Sequence, residues 1–133
     1  MITSQLFPNS QQPAKGILLV EDDHAVTELT QEILLLLGHH VTVASNGFEA
    51  MRAYTHYKNE IDLVITDLDM PVMDGRTLVS QLRADNPHLN IIIITGNVYE
   101  AEKPNSPLHQ VARWLSKPFR INELEQALDA LAF

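Results

Sequence analysis

The chain has no cysteine among its 133 residues, which excludes a disulfide scaffold and a thiolate metal site. It has no apolar run long enough to span a bilayer. Nor does a charged n-region followed by an apolar h-region mark a secretory signal. Basic residues are scarce, with 9 Lys and Arg against 17 Asp and Glu and a formal net charge of -8. That surplus argues against direct contact with nucleic acid or an anionic membrane surface and favours a cation or a basic partner. The default expectation is a cytoplasmic protein. The rest of the composition, 45% hydrophobic and 20% charged, is that of an ordinary globular protein, and the length suits one domain with one core.

Residues 1–15 are rich in Ser, Gln, Asn and Pro without a usable period, and form a flexible N-terminal leader by this reading. The domain proper then runs over residues 16–133. Gly16-Ile17-Leu18-Leu19-Val20 is a short continuous apolar run, which predicts a strand buried on both faces. Val26, Leu29, Ile33, Leu36 and Leu37 fall at helical spacing from Ala25 to Leu37, with Asp23 as N-cap and Gly38 at C′. Val41 to Ala44 is a second strand. Asn46 and Glu49 resemble a capping box opening a helix that runs to about Tyr57. Leu63 to Asp67 ends a third strand, and a helix from Gly75 turns Leu78, Val79 and Leu82 inward before stopping near Asn86-Pro87. Ile91 to Ile94 and Val111 to Leu115 supply strands four and five. Between them Pro104 and Pro107 leave the fourth helix short or distorted. A last helix opens on a second capping box, Asn122 and Glu125, and buries Leu124, Leu128 and Leu131.

Strands that alternate with helices, each strand apolar throughout, define an α/β fold. The expected form is a doubly wound five-stranded parallel sheet in the order 2-1-3-4-5 with about five helices. In such a sheet ligands bind outside the carboxyl ends of the strands, where the winding reverses. Glu21 and Asp22 follow strand one, Asp67 ends strand three, Thr95 ends strand four and Lys117 follows strand five. Taken singly, the acids would serve as a solvated helix N-terminus, Thr95 as a turn residue and Lys117 as a surface lysine. Together they place three carboxylates, a hydroxyl and an ammonium on one sheet edge. The carboxylates call for a hard cation, Mg²⁺ or Mn²⁺, and the hydroxyl and ammonium suit a phosphoryl group. The site therefore points to phosphoryl transfer onto Asp67.

Leu19-Val20-Glu21-Asp22-Asp23, Asp67-Leu68-Asp69-Met70-Pro71-Val72-Met73-Asp74-Gly75, Ile94-Thr95-Gly96 and Ser116-Lys117-Pro118-Phe119 resemble, in order and spacing, the receiver domain of two-component response regulators. The resemblance covers Gly16 to the C-terminus. It implies a flavodoxin-like fold in which Asp67 accepts a phosphoryl group from the phosphohistidine of a histidine kinase or histidine phosphotransfer protein. It assigns Mg²⁺ to Asp22, Asp67 and the backbone carbonyl of Asp69, with Glu21 acting mainly through metal-bound water. Thr95 and Lys117 would contact the phosphoryl group, and the Lys117-Pro118 bond would be cis. Self-phosphorylation and self-dephosphorylation at Asp67 are implied, with no turnover of an external substrate, in a monomer or weak dimer. Asp69 and Asn97 would tune access of the hydrolytic water.

On the output side the chain departs from the family pattern. Trp114 stands where a Tyr or Phe switch aromatic is usual, so Thr95 and Trp114 form the expected switch pair. The run from Val111 to Phe119 resembles receivers at the C-terminus of hybrid sensor kinases, whereas Met1 points to a stand-alone protein. Two rivals share parts of the site. A haloacid-dehalogenase-like phosphatase uses an Asp-x-Asp nucleophile motif, but on its first strand and with its metal acids after the lysine. A pseudo-receiver binding module would dispense with the intact Asp, Thr and Lys set.

Overall fold

The runs Leu63-Val64-Ile65 and Ile91-Ile92-Ile93-Ile94 are apolar at every position because helices cover both sides of the sheet. All five residues of the third strand are buried. The computed structural model describes residues 13–96 and 113–131. Within them lie β1 (Gly16–Val20), α1 (His24–Leu36), β2 (His40–Ala44), α2 (Gly47–Tyr57), a 3-10 turn (Lys58–Glu60), β3 (Leu63–Asp67), α3 (Gly75–Asp85), β4 (Asn90–Thr95), β5 (Arg113–Ser116) and α4 (Ile121–Asp129). The strands pair in parallel in the order β2-β1-β3-β4-β5, as the sequence implies. The segment with Pro104 and Pro107, together with Asn97, Val111, Ala112 and residues 1–12 of the leader, lies outside the described residues. Among the described residues no helix is long and apolar enough to cross a membrane.

Alternate strand residues feed two cores. Leu18, Val20, Val64, Ile91 and Ile93 pack with Ala50 and Tyr54 of α2 and Leu78, Val79 and Leu82 of α3. Ile17, Leu19, Ile65, Ile92 and Ile94 pack on the other side with Ile33 and Leu34 of α1 and Leu124 and Leu128 of α4. Each fully buried Leu or Ile stabilises the fold by roughly 1.5–3 kcal/mol over an exposed one. Truncating Ile65 to Ala, in the middle of β3, is expected to cost about 2–5 kcal/mol.

The inward face of α1 keeps Ile33 and Leu37 of the expected stripe but not Leu29 and Leu36. Thr27, Thr30, Ile33 and Leu34 are buried, whereas Leu29 and Leu36 are more than half exposed. The cause is local. The Thr27 hydroxyl donates to the carbonyls of Glu21 (3.3 Å) and Asp23 (3.0 Å), so a polar side chain enters the core already bonded and the leucine stripe is rotated outward.

Helix caps also shift. Asp23 caps α1 as expected, through the N–H groups of Ala25 and Val26, and Gly38 follows its end at φ +94°. Asn46 accepts from the Glu49 N–H at 2.8 Å, but the Glu49 carboxylate turns to Ser45 rather than closing a reciprocal box. At α4 the bond runs from the Arg120 N–H to Glu123 (2.8 Å), two residues before the expected Asn122 and Glu125 pair. Lys15 is tied to β2 as well. Its N–H donates to His39 Nδ1 at 3.0 Å and its carbonyl accepts from His40 at 2.9 Å.

Candidate functional site

The carboxyl edge of the sheet gathers Glu21, Asp22, Asp67, Thr95 and Lys117, which the sequence spreads over nearly a hundred positions. The Glu21 N–H still bonds the Ala44 carbonyl (3.0 Å) and the Lys117 N–H the Thr95 carbonyl (2.9 Å), so both side chains are set by extensions of strand pairing. Asp67 closes β3 opposite Ile94. Glu21, Asp67 and Thr95 are almost wholly buried, and Asp22 stands exposed at the rim.

Lys117 bridges the two buried acids. Its Nζ donates to Glu21 Oε1 at 2.5 Å and to Asp67 Oδ2 at 3.0 Å, so the lysine is shared rather than given to Asp67 alone. The Lys117-Pro118 peptide is cis, as the resemblance implies. Asp67 Oδ1 accepts from the Asp69 N–H at 3.3 Å. Glu21 is pushed up to about 7, chiefly by burial and further by Asp67, with Lys117 acting in the opposite sense. For Lys117, burial works to lower the ammonium's pKa but is outweighed by Glu21 and Asp67, and the value ends above the usual lysine range. One cation thus serves two buried carboxylates.

The loop from Leu68 to Asp74 is held on both sides. The Gly75 N–H bonds the Leu68 carbonyl at 2.8 Å, and a Cβ on Gly75 would lie 2.2 Å from the Asp67 carbonyl oxygen, so only glycine allows this approach. Asp74 caps α3 through the Thr77 N–H (3.1 Å). Two features went unseen in the sequence. Arg76 lies 3.6 Å from Asp69 and 3.8 Å from Asp74, tying the loop to α3. Val72 takes φ 70° while 84% exposed, a backbone conformation that β-branched residues rarely hold. An arginine two residues after a capping aspartate was the signal for the first; the second has none. Trp114 pairs with Ile93 in β5 and packs, partly buried, against the core beneath α2 and α3.

Glu21, Asp22 and Asp67 each offer a carboxylate oxygen within 4.8 Å of the others. An all-oxygen set with unbalanced negative charge fits Mg²⁺ or Mn²⁺ and is unsuited to Zn²⁺.

With this fold and site, the chain belongs to the response regulator receiver domain family, whose model matches residues 17–129. It is a phosphoacceptor domain of two-component signalling. It is 38% identical over 121 residues to the response regulator receiver protein CpdR of Brucella abortus, covering 87% of this chain and 98% of that protein. It is 35% identical over 108 residues to the sensor kinase CckA of the same organism, covering 81% of this chain but only 11% of the kinase. The response regulator TrrA of Thermotoga maritima, solved in complex with Mg(2+)-BeF, has a similar structure. Its TM-score is 0.77 at 28% identity, over 88% of this chain and 99% of that one.

Proposed function

We propose that Asp67 takes a phosphoryl group from a phosphohistidine on a histidine kinase or histidine phosphotransfer protein, in a Mg²⁺-dependent reaction, and that the change of state is passed on through Thr95 and Trp114. The observation that carries this reading is the shared lysine, with Lys117 bonded to both buried acids at the strand mouth. An Asp67 oxygen attacks phosphorus, a P–O bond forms, the P–N bond breaks and the imidazole nitrogen leaves with the electron pair. Lys117, already within hydrogen-bond distance of Asp67, stays to neutralise the new phosphoryl oxygens. Thr95, at the next strand end, supplies a hydroxyl to one of them. A bound Mg²⁺ would be held by Asp22, Asp67 and the Asp69 carbonyl, with Glu21 behind, and would offset the charge of carboxylates and phosphoryl oxygens together.

Thr95 pairs with Ser116 and Ile93 with Trp114, so Thr95 and Trp114 share one sheet face at adjacent steps. A Thr95 side chain that turns toward a phosphoryl oxygen leaves space on the side where the indole packs. For the donor, an apolar groove of about 280 Å³ lies beside Lys117, lined by Val26, Leu29, Thr30, Pro118 and Phe119. The leucine that α1 fails to bury is thus part of a surface on which a helix bearing the phosphohistidine can seat.

Intact mass after incubation with Mg²⁺ and acetyl phosphate tests the reading. The expected result is one acid-stable, base-labile phosphoryl group that is absent from Asp67→Asn. Rapid turnover of a phosphomonoester would favour the phosphatase alternative, and no adduct even with beryllofluoride would leave only a binding module.

A further inference from the structure

A second groove, of about 610 Å³, runs between α2 and α3 on the side of the sheet away from α1. Phe48, Met51 and Met73 form its apolar part, and Arg52, His56 and Gln81 its polar edge. Phe48 is 54% exposed, a large aromatic left in water at the head of a helix. Among the described residues no carboxylate lines this groove. The acids on the two helices are Glu49 and Asp85; both have hydrogen-bond partners of their own, and Glu49 also borders Arg52 and His56 in the adjoining pocket. Glu49 accepts from Ser45 N and Oγ at 3.1 and 2.7 Å, and Asp85 accepts from Lys58 and Tyr54, each at 2.8 Å.

The contrast with the opposite side is one of sign. Helices α1 and α4 carry Glu28, Glu32, Glu123, Glu125 and Asp129 and neither Lys nor Arg. Of the arginines on α2 and α3, Arg52 lines the groove, while Arg76 is held by Asp69 and Asp74 and Arg83 by the Leu89 carbonyl. On a chain of net charge -8, this groove combines apolar surface with the guanidinium of Arg52 and the imidazole of His56. The wall it shares with the loop is fixed in advance. The Gly47 N–H bonds the Met73 carbonyl at 3.0 Å, and a Cβ on Gly47 would stand 2.5 Å from that oxygen. A preformed wall lowers the ordering cost of binding, and methionines adapt to the shape of an apolar partner.

We propose that the α2–α3 groove docks an acidic amphipathic helix of a partner protein, with its apolar side chains on Phe48, Met51 and Met73 and its carboxylates facing Arg52 and His56. This is the helix-in-groove mode, with affinity from the apolar anchors and selectivity from charge. It does not depend on phosphoryl chemistry, so its failure and that of the Asp67 reading are separable.

The probe is a stapled synthetic helix with Leu at i, i+3, i+4 and i+7 and Glu elsewhere, titrated into the full ¹⁵N-labelled chain. A matched peptide carries Lys in place of Glu. Non-specific attraction to an acidic protein would favour the Lys peptide, so the expected preference for Glu, about tenfold, runs against net charge. Amide shifts should centre on Phe48, Met51, Arg52 and Met73. Phe48→Ala should weaken binding about tenfold, and Arg52→Glu should reverse the peptide preference with an unchanged circular dichroism spectrum. Equal binding of the two peptides, shifts confined to the α1 groove, or no shifts overturn the proposal. So does a concentration-dependent mass in sedimentation that Arg52→Glu abolishes, which would give the groove to the acidic α1 of a second copy.

Discussion

Two lysines in this chain bond aspartates at nearly the same distance, in surroundings that differ in burial and in charge. Lys58 lies 2.8 Å from Asp85, with the two side chains 49% and 38% exposed. The Tyr54 hydroxyl donates to the same carboxylate at 2.8 Å, and the ammonium stands 5.6 Å from the Tyr54 ring centroid. Lys117 lies 3.0 Å from Asp67 and 2.5 Å from Glu21, with these acids only 8% and 3% exposed. Lys58 and Asp85 balance each other, and the bonds that Tyr54 of α2 and Lys58 of the following 3-10 turn make to Asp85 tie both to α3 in partial contact with water. The Lys117 cluster holds one cation against two carboxylates shut away from water, with a third, that of Asp22, exposed at the rim within reach of both. Similar pair geometry therefore serves as a brace in one place and as an unfinished ionic site in the other. What separates them is the charge left over after pairing, together with the solvent available to screen it.

The largest expected effect follows from removing each lysine in turn. Lys117→Met leaves two buried carboxylates facing each other and should cost about 3–5 kcal/mol in metal-free buffer. Lys58→Met breaks an exposed pair and should cost less than about 1 kcal/mol. Urea melts of the two variants check this, and equal losses would dissolve the distinction. Next in size is the response to metal. Mg²⁺ at a hundredfold excess over its dissociation constant should raise stability by about 2.7 kcal/mol, reversed by EDTA. Asp22→Asn should remove most of that gain, while Lys58→Met should leave it intact.

The two clusters should also respond to pH with opposite signs. Glu21 in the folded chain holds its proton to about pH 7, against an ordinary value of 4.5. Between those values the folded state binds more protons than the unfolded one, so stability falls as pH rises. Asp85 is displaced downward by its bonds to Lys58 and Tyr54. Its contribution is present above its ordinary 3.8 and is lost as pH falls through the lower folded value. In EDTA, Glu21→Gln should flatten the decline between about pH 4.5 and 7, and Asp85→Asn should flatten the acid limb alone. Thermal melts across pH read both.

Of these two clusters the sequence shows one. Glu21, Asp22, Asp67, Thr95 and Lys117 are legible because each directly ends or follows an apolar run, and parallel strand order carries all such ends to one edge. Tyr54, Lys58 and Asp85 are not, because their meeting depends on how two helices pack, which no local period encodes. The same limit hides the α2–α3 groove. The reading of α1 holds at Ile33 and Leu37 and fails at Leu29 and Leu36 for another reason. Leucine spacing marks a face, but the Thr27 bonds to Glu21 and Asp23 decide which face turns inward, and a hydropathy pattern scores those threonines as solvent-facing. Cap positions slip by a residue or two where a carboxylate finds an earlier N–H, as Glu49 does at Ser45.

The smallest expected effects lie within the exposed cluster, and they show how far its parts act independently. Tyr54→Phe keeps the ring in the core and removes only the hydroxyl that donates to Asp85, so about 1 kcal/mol should be lost. The aspartate stays partly hydrated and keeps Lys58, which argues against a larger penalty for an unsatisfied carboxylate. Lys58→Met should cost still less, and in about 1 M salt, where charges are screened beyond roughly 3 Å, the remainder should vanish. The loss in Lys117→Met should survive that salt, because Glu21 and Asp67 are almost wholly buried and a diffuse salt atmosphere screens them little. A double-mutant cycle of Tyr54→Phe with Lys58→Met, repeated at both salt concentrations, then separates the hydroxyl's hydrogen bond to the carboxylate from the ion pair. The Tyr54 contribution should be insensitive to salt while the coupling between the two falls toward zero.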